Sequence, residues 1–246
     1  MRSLTFGVLV ALASRSALTH ANVMALSPAA DTTLNAFTTS LNNNMGGHDR
    51  VLSGTANNFS RRRGLFQFDV AGSIPALATI HDATLTLSVP DGSTDAESTF
   101  DLFRVLVNWG EGRGTGSLGE AALSGEATWD YRIFDTVEWA SPGAAAGTDY
   151  DATPSASTFV QGVDTYNWTG LVSDVQFWLD NPSIDFGWIL ISQVEDVPGT
   201  SRRFGAANAG DDAPVLTIDF TMVPEPEVWV ILIPGGVLLR RRWQNM

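Results

Sequence analysis

The chain has 246 residues, no cysteine and a formal net charge of −13 at pH 7, and all of its basic residues are arginines. The length admits one or two domains, and the lack of cysteine excludes a disulfide framework. An acidic chain repels phosphate backbones, so we expect no nucleic-acid partner. Anionic polysaccharides are repelled as well unless cations bridge them, whereas divalent cations are attracted.

Residues 1–21 have the features of a secretory signal peptide. Arg2 supplies a positive start, and residues 4–13 form an apolar run that is too short to span a membrane. Thr19 and Ala21 place small residues at the −3 and −1 positions of a cleavage site. We therefore expect export, with signal peptidase cutting after Ala21.

Residues 22–221 are expected to form one folded domain whose net charge is 9 − 25 = −16. Apolar and polar residues alternate in residues 66–70, 83–89 and 216–220, which predicts strands with one buried face. Residues 100–109 and 186–191 are apolar on both faces, which predicts central strands between packed layers.

One segment departs from this pattern, because residues 171, 175, 178 and 179 are apolar at helical spacing. We expect a short helix there that caps one end of the domain. Residues 110–125 and 141–157 are rich in Gly, Ala and Ser and predict two long loops. The fold class predicted from these elements is an all-β, antiparallel sandwich with one short helix.

Residues 222–246 combine a proline–glutamate–proline tripeptide, an apolar run over residues 228–239 and a basic cluster. The residues of the tripeptide and the cluster are Pro224, Glu225, Pro226, Arg240, Arg241 and Arg242. This order resembles the PEP-CTERM sorting signal of bacteria. The resemblance implies that the apolar run enters the inner membrane, the arginines stay cytoplasmic and an exosortase removes the tail.

The twelve apolar residues would make about 18 Å of helix against a hydrocarbon core of about 30 Å, and Pro234 interrupts them. This length suits a transient signal better than a permanent anchor. We expect the mature protein at the cell surface, in the outer envelope or in the extracellular matrix, with membrane contact only through this segment.

An ordered series of motifs between residues 30 and 220 resembles the DNRLRE-domain family. The motifs are Ala30-Asp31-Thr32-Thr33, Met45-Gly46-Gly47, Val51-Leu52-Ser53-Gly54, Arg63-Gly64-Leu65-Phe66-Gln67-Phe68-Asp69-Val70, Ile74-Pro75, Ile80-His81-Asp82-Ala83-Thr84-Leu85, Trp109-Gly110-Glu111, Thr128-Trp129 and Trp139-Ala140-Ser141-Pro142-Gly143. The resemblance implies a jelly-roll domain similar to carbohydrate-binding modules, extracellular and without catalytic activity. Some members of the family are regarded as glycan-binding.

Aromatic faces stack on sugar rings, so exposed aromatic residues are candidate glycan contacts. Tyr131, Tyr150 and Trp168 are the candidates, the last because Asn167 and Thr169 flank it. The other tryptophans of the domain lie in apolar patterns or in family motifs, and we expect them in the core. Polysaccharide is accordingly the expected ligand class.

Calcium is the candidate cofactor, since jelly-roll modules often hold a structural Ca²⁺ where the first and last strands meet. Asp31 lies near the start of the domain, and Asp211, Asp212 and Asp219 lie near its end. Carboxylates are ligands that Ca²⁺ prefers. These four aspartates therefore form the predicted metal site.

Three functions remain open, of which the leading one is a non-catalytic module that binds glycan or extracellular matrix. The second is a structural surface or biofilm protein without a defined ligand. The third is a polysaccharide-degrading enzyme, for which His48 and His81, or the carboxylates Glu111 and Glu120, are the candidate residues. No nucleophile-elbow, HExxH or phosphate-loop sequence supports the enzyme.

Overall fold

The protein is described here from a computed structural model that covers residues 21–91 and 96–222. Strands make up 41% of the structure and helices 10%, and only one helix has seven or more residues. Every pairing between its strands is antiparallel. The predicted all-β sandwich is confirmed.

The strands are β1 (Ala21–Leu26), β2 (Ala30–Asn35), β3 (Asn43–Asn44), β4 (Arg50–Thr55), β5 (Arg61–Gln67), β6 (Thr79–Val89), β7 (Ser98–Arg104), β8 (Glu120–Ala121), β9 (Tyr131–Ile133), β10 (Val137–Glu138), β11 (Ala156–Val160), β12 (Asp164–Trp168), β13 (Trp188–Ser192), β14 (Arg202–Gly205) and β15 (Val215–Thr221). The helices are α1 (Val70–Ser73) and α2 (Val172–Asp180), with 3₁₀ turns η1 (Pro182–Ile184) and η2 (Gly210–Asp212).

The smaller sheet has the order β1-β15-β6-β12. Leu85 and Leu216 lie directly opposite each other with their side chains buried, and Thr84 and Thr217 form the next pair. Successive side chains of a strand point to opposite faces, so the leucines enter the core and the threonines lie on the outer face. The alternation predicted for residues 83–89 and 216–220 is confirmed.

The larger sheet has the order β11-β7-β13-β5-β4-β14, and β2 pairs with the other edge of β5. Eight of the eleven strands in these two sheets, leaving out β2, β4 and β14, are in chain order β1, β5, β6, β7, β11, β12, β13 and β15. Numbered in this order, the smaller sheet reads first, eighth, third, sixth, and the larger sheet, taken from β5 to β11, reads second, seventh, fourth, fifth. This is the strand order of a jelly roll.

Two cores lie on the two faces of the larger sheet. Phe66 and Trp188 point into the first core, between the sheets, whereas Leu65 and Ile189 point into the second. The second core is covered by residues from the segment 105–150, including Trp109, which are apolar or aromatic. Burial on both faces explains why the residues of β7 and β13 are apolar on both sides, as predicted for central strands. Of the two predicted loops, residues 141–157 contribute Ala144 and Tyr150 to this second core, whereas residues 110–125 contribute none and include β8.

Helix α2 buries Val175, Trp178 and Leu179 against the first core, which confirms the predicted helix. The indole ring of Trp178 lies edge-on to that of Trp188, with ring centroids 4.4 Å apart. An aromatic pair of this geometry contributes about 1 kcal/mol beyond the area that it buries. The N-cap residue, Leu171, makes no side-chain capping hydrogen bond, so packing rather than capping stabilises this helix.

The two ends of the domain meet at one corner of the smaller sheet. Strand β1 pairs with β15 along its whole length, and Ala21 lies opposite Thr221. Ala21 and Thr221 therefore lie side by side at the edge of the smaller sheet.

Candidate functional site

A cavity of about 310 Å³ opens at one end of the sandwich, between the start of β2, the end of β5, α1 and η1. Its polar side chains are those of Gln67, Asp69 and Asp185. The rest of the lining consists of small and apolar residues, namely Ala29, Ala30, Phe68, Ala71 and Pro182. The volume lies at the lower end of the range for small-ligand sites.

Asp69 is positioned by the turn that links β5 to α1. Its Oδ1 accepts a hydrogen bond of 2.9 Å from the backbone N–H of Gly72, which caps the short helix. A methyl group at Gly72 would lie 2.1 Å from Oδ2 of Asp69, so this cap requires glycine. The cap fixes the carboxylate at the mouth of the cavity.

Asp185 follows η1 and lies on the other side of the cavity. Its Oδ2 accepts a weak hydrogen bond of 3.5 Å from the N–H of Val70, and Gln67 Nε2 donates to its backbone oxygen. Its Oδ1 is buried and makes no hydrogen bond of normal geometry to a residue that the structure describes. The carboxyl group is therefore held only weakly by donors of the protein.

Burial raises the pKa of Asp185 to about 7, against the opposing hydrogen bonds from the N–H groups of Val70 and Gly187. The nearby charge of Asp69 raises this pKa further. Near neutral pH the carboxyl group of Asp185 thus exists in both protonation states. It can accept a hydrogen bond as a carboxylate or donate one as an acid.

Two of the three predicted aromatic contacts are buried, so their expected exposure is wrong. Trp168 is 0% exposed, and its Nε1 donates to the backbone oxygen of Phe100 at 2.9 Å. Tyr150 is 8% exposed and packs on Phe103 in the second core. Tyr131 is half-buried in β9, with its ring edge-on to that of Phe134. Of the three, only Tyr131 keeps the exposure that stacking on a sugar requires.

The remaining tryptophans of the domain are all buried, and their predicted place in the core is confirmed. Trp109 and Trp139 donate their Nε1–H groups to the backbone oxygens of Phe186 and Thr128. These bonds satisfy the polar atom of each indole inside the apolar cover of the second core.

The structure does not gather the four predicted calcium ligands into one site. Asp31 is buried in the larger sheet, where its Oδ2 accepts from Ala207 N at 2.6 Å. Asp219 lies opposite Asp82 in the smaller sheet, and Asp211 and Asp212 lie in η2. Within residues 21–91 and 96–222, no three His, Cys, Asp or Glu side chains converge on a metal position. Calcium binding stays a prediction.

The candidate residues of the enzyme hypothesis have separate structural contacts. Glu111 Oε1 accepts from the backbone N of Asp31, whereas the exposed Glu120 accepts from Thr115. His48 Nδ1 accepts from the N–H of Arg50, and His81 Nε2 contacts Thr221 Oγ1 at 2.8 Å. None of these contacts places two of the candidates together.

The sorting residues Pro224, Glu225, Pro226 and Arg240 to Arg242 lie outside the described residues, as do residues 1–20 of the predicted signal peptide. Its last residue, Ala21, is the first residue of β1. Within the part of the chain that the structure describes, no helix is long and apolar enough to cross a membrane.

The sequence reasoning missed Gln67, Asp69 and Asp185. Gln67 and Asp69 read as the polar side of a strand, and Asp185 preceded an apolar run without a motif. A usable signal was present only for Asp185, which directly precedes residues 186–191, predicted to be a central strand. Asp69 lay inside the strand predicted for residues 66–70, but that strand ends at Gln67 and α1 begins at Val70. Polar residues at such strand ends often line the ends of a sandwich.

No protein-family model matches the chain. A search of curated proteins also finds no significant relative.

Proposed function

We propose that the chain is an exported, non-catalytic module that binds glycan in the cavity at Asp69 and Asp185. The single observation that carries the proposal is this cavity, which combines small lining residues with the polar side chains of Gln67, Asp69 and Asp185. Sugar hydroxyl groups are donors and acceptors, and ionised carboxylates are acceptors only. A hydroxyl-rich ring therefore matches the chemistry of the cavity.

The DNRLRE resemblance and the PEP-CTERM tail are parts of the same proposal. The jelly-roll strand order supports the DNRLRE resemblance, since it is the fold that the resemblance implies.

The PEP-CTERM tail can be tested by mutation. Replacing Glu225 by alanine should leave the tail uncleaved in a host that carries an exosortase. A tail removed as fast as in the unchanged protein would count against the sorting signal.

Glycan binding is tested with purified protein on a glycan array, with and without Ca²⁺, followed by calorimetry on the best ligand. The variants Asp69→Asn and Asp185→Asn keep the shape of the cavity but replace carboxylate acceptors, and each should weaken binding about tenfold. The control Asp196→Asn removes an equal charge from an exposed residue outside the cavity. If the protein binds no glycan on the array, the proposal is wrong, and a structural surface protein without a defined ligand becomes the favoured hypothesis.

A further inference from the structure

The second core covers only part of the face of the larger sheet on which it lies. Ile189 and Ile191 of β13 are buried in that core, but Gln193, two residues further on, is exposed. On the edge strand β11, Phe159 is 51% exposed. A single exposed phenylalanine is ordinary in a folded protein, so its surroundings decide whether this part of the face is a site.

Two cross-strand pairs lie on this open part of the face. Strands β11 and β7 place Ser157 opposite Asp101 and Phe159 opposite Thr99. Side chains of directly opposite residues share a face, and so do side chains two residues apart in one strand. Asp101 also lies opposite Ile191, whose side chain enters the second core. All four side chains therefore point to the same side of the sheet as Ile191.

Polar hydrogen bonds flank the phenyl ring on both sides along the strands. Gln161 and Glu97, the residues next to the last pair of β11 and β7, continue the register, and Gln161 Nε2 donates to Glu97 Oε1 at 3.0 Å. On the other side, Ser157 Oγ and Gln193 Nε2 donate to Asp101 Oδ1 at 2.5 and 3.0 Å. We call this surface the platform; its residues are Glu97, Thr99, Asp101, Ser157, Phe159 and Gln161.

The backbone at one end of the platform is held by a buried arginine. Arg202 is 2% exposed, and its Nη2 donates to the backbone oxygens of Ala96 at 2.9 Å and Gln161 at 2.7 Å. The hydroxyl oxygen of Tyr166 accepts from the N–H groups of Gln161 and Gly162 at 3.2 and 3.0 Å. These bonds order the platform before a ligand arrives, which lowers the entropic cost of binding.

We propose that the platform is a second glycan-binding surface, on which a sugar ring of a neutral polysaccharide stacks on Phe159. The apolar face of the sugar packs on the phenyl ring, and the flanking carboxylates and amides accept from and donate to its hydroxyl groups. Asp101 and Glu97 would repel an acidic polymer, so the ligand is neutral. A flat face suits an extended chain, because pockets for small molecules are concave. The choice of a polysaccharide rests on the proposed function.

The platform is separate from the cavity at Asp69 and Asp185. Strand β13 begins three residues after Asp185 and ends one residue before Gln193. The run from Trp188 to Gln193 spans about 16 Å at the usual rise per residue. The two surfaces can therefore be altered independently of each other.

The test is affinity electrophoresis of the full-length protein in gels that contain hydroxyethyl cellulose, galactomannan or polygalacturonate. At least one of the two neutral polymers should retard the unchanged protein, and polygalacturonate should not. Phe159→Ala and Phe159→Leu should each weaken binding about tenfold, because both remove the aromatic face, whereas Phe159→Tyr keeps the ring and should bind as the unchanged protein does. Phe59→Ala is the matched control, since it removes a phenylalanine that is 69% exposed in the turn between β4 and β5.

The outcomes separate the platform from the cavity. Weaker retardation of Phe159→Ala and Phe159→Leu, with unchanged thermal unfolding midpoints and with Phe59→Ala unaffected, supports the platform. Equal retardation of all variants, no retardation by either neutral polymer, or equally strong retardation by polygalacturonate overturns it. Binding on the glycan array that depends on Asp185 but not on Phe159 removes the platform and leaves the cavity. Binding that depends on Phe159 but not on Asp69 or Asp185 supports the platform and removes the cavity.

Discussion

Asp174 accepts a hydrogen bond of 2.7 Å from the indole Nε1 of Trp188, and this bond joins α2 to the centre of the larger sheet. The same carboxylate oxygen accepts from Ser155 Oγ at 2.5 Å, and Arg104 lies 3.7 Å from the other oxygen. A buried acid with three partners from distant parts of the chain orients the helix as well as satisfying the indole.

Replacing Asp174 by alanine should destabilise the domain by about 2–4 kcal/mol, because it leaves the buried Nε1–H of Trp188 without an acceptor. Urea unfolding followed by tryptophan fluorescence measures the loss. Ser155→Ala removes one donor and leaves Trp188 bonded, so it should cost less than half as much. Equal losses of stability in the two variants would show that the hydrogen bond to the Trp188 indole does not account for the destabilisation.

Arg63 holds the cover of the second core onto the larger sheet. It pairs with Glu195 through Nε and Nη2, donates from Nη1 to the backbone oxygens of Gly143 and Ala144, and lies 5.7 Å from the ring centre of Trp129. We expect Arg63→Lys to cost about 3 kcal/mol, since an ammonium group cannot make these bonds together. Glu195→Gln, which keeps one acceptor for the guanidinium group and leaves its bonds to Gly143 and Ala144 intact, is the matched control and should cost clearly less in chemical unfolding.

The free energy of unfolding should fall as the pH rises from about 4 to 7. Burial raises the pKa of Asp31 from 3.8 to about 7, against the hydrogen bond from Ala207 and with a smaller contribution from the charge of Glu111. The folded state then holds a proton that the unfolded state releases, so the stability linked to Asp31 is complete at low pH and lost as the pH passes 7. The size is on the order of 2–4 kcal/mol.

Asp31→Asn mimics the protonated acid and should flatten this dependence, being more stable than the unchanged protein at pH 8 and similar at pH 4. Denaturant unfolding at several pH values gives the comparison, and Asp211→Asn serves as the exposed control. A variant with the same pH dependence as the unchanged protein would show that Asp31 keeps an ordinary pKa.

The calcium prediction has a direct thermal test. If Asp31, Asp211, Asp212 and Asp219 contribute to a site, EDTA should lower the unfolding midpoint and added Ca²⁺ should restore it. Mg²⁺ at equal concentration is the control for general screening of the acidic surface, because it prefers a smaller octahedral site. An unchanged unfolding midpoint in EDTA would show that calcium does not stabilise this domain.

The strands and the helix could be predicted because each carries its own periodicity. Leu85 and Leu216 alternate with threonines, and Val175 and Trp178 recur at helical spacing, so short windows contain the whole signal. The sequence could not say which strands pair, since partners such as Leu216 and Leu85 are 131 residues apart. The jelly-roll order came only through the family resemblance.

Trp168 shows why the site was harder to predict than the fold. Its polar neighbours Asn167 and Thr169 suggested exposure, but in a strand the residues on either side point to the opposite face. The contacts that bury it come from Phe100 and Phe204, on other strands. The cavity at Asp69 and Asp185 was hard to predict for the same reason. Its two acidic side chains are 116 residues apart in the chain and come together only in the folded domain.

The pairing of Ala21 with Thr221 determines how the domain would respond to a pulling force. If the protein is held through its C-terminal segment while a glycan is bound in the cavity at Asp69 and Asp185, the load enters β15 at Thr221 and runs along that strand. Strand β15 is flanked by β1 and by β6, with seven residue pairs to the latter. The backbone hydrogen bonds would then be loaded together in shear, a geometry in which they resist rupture better than when a strand is peeled away one bond at a time.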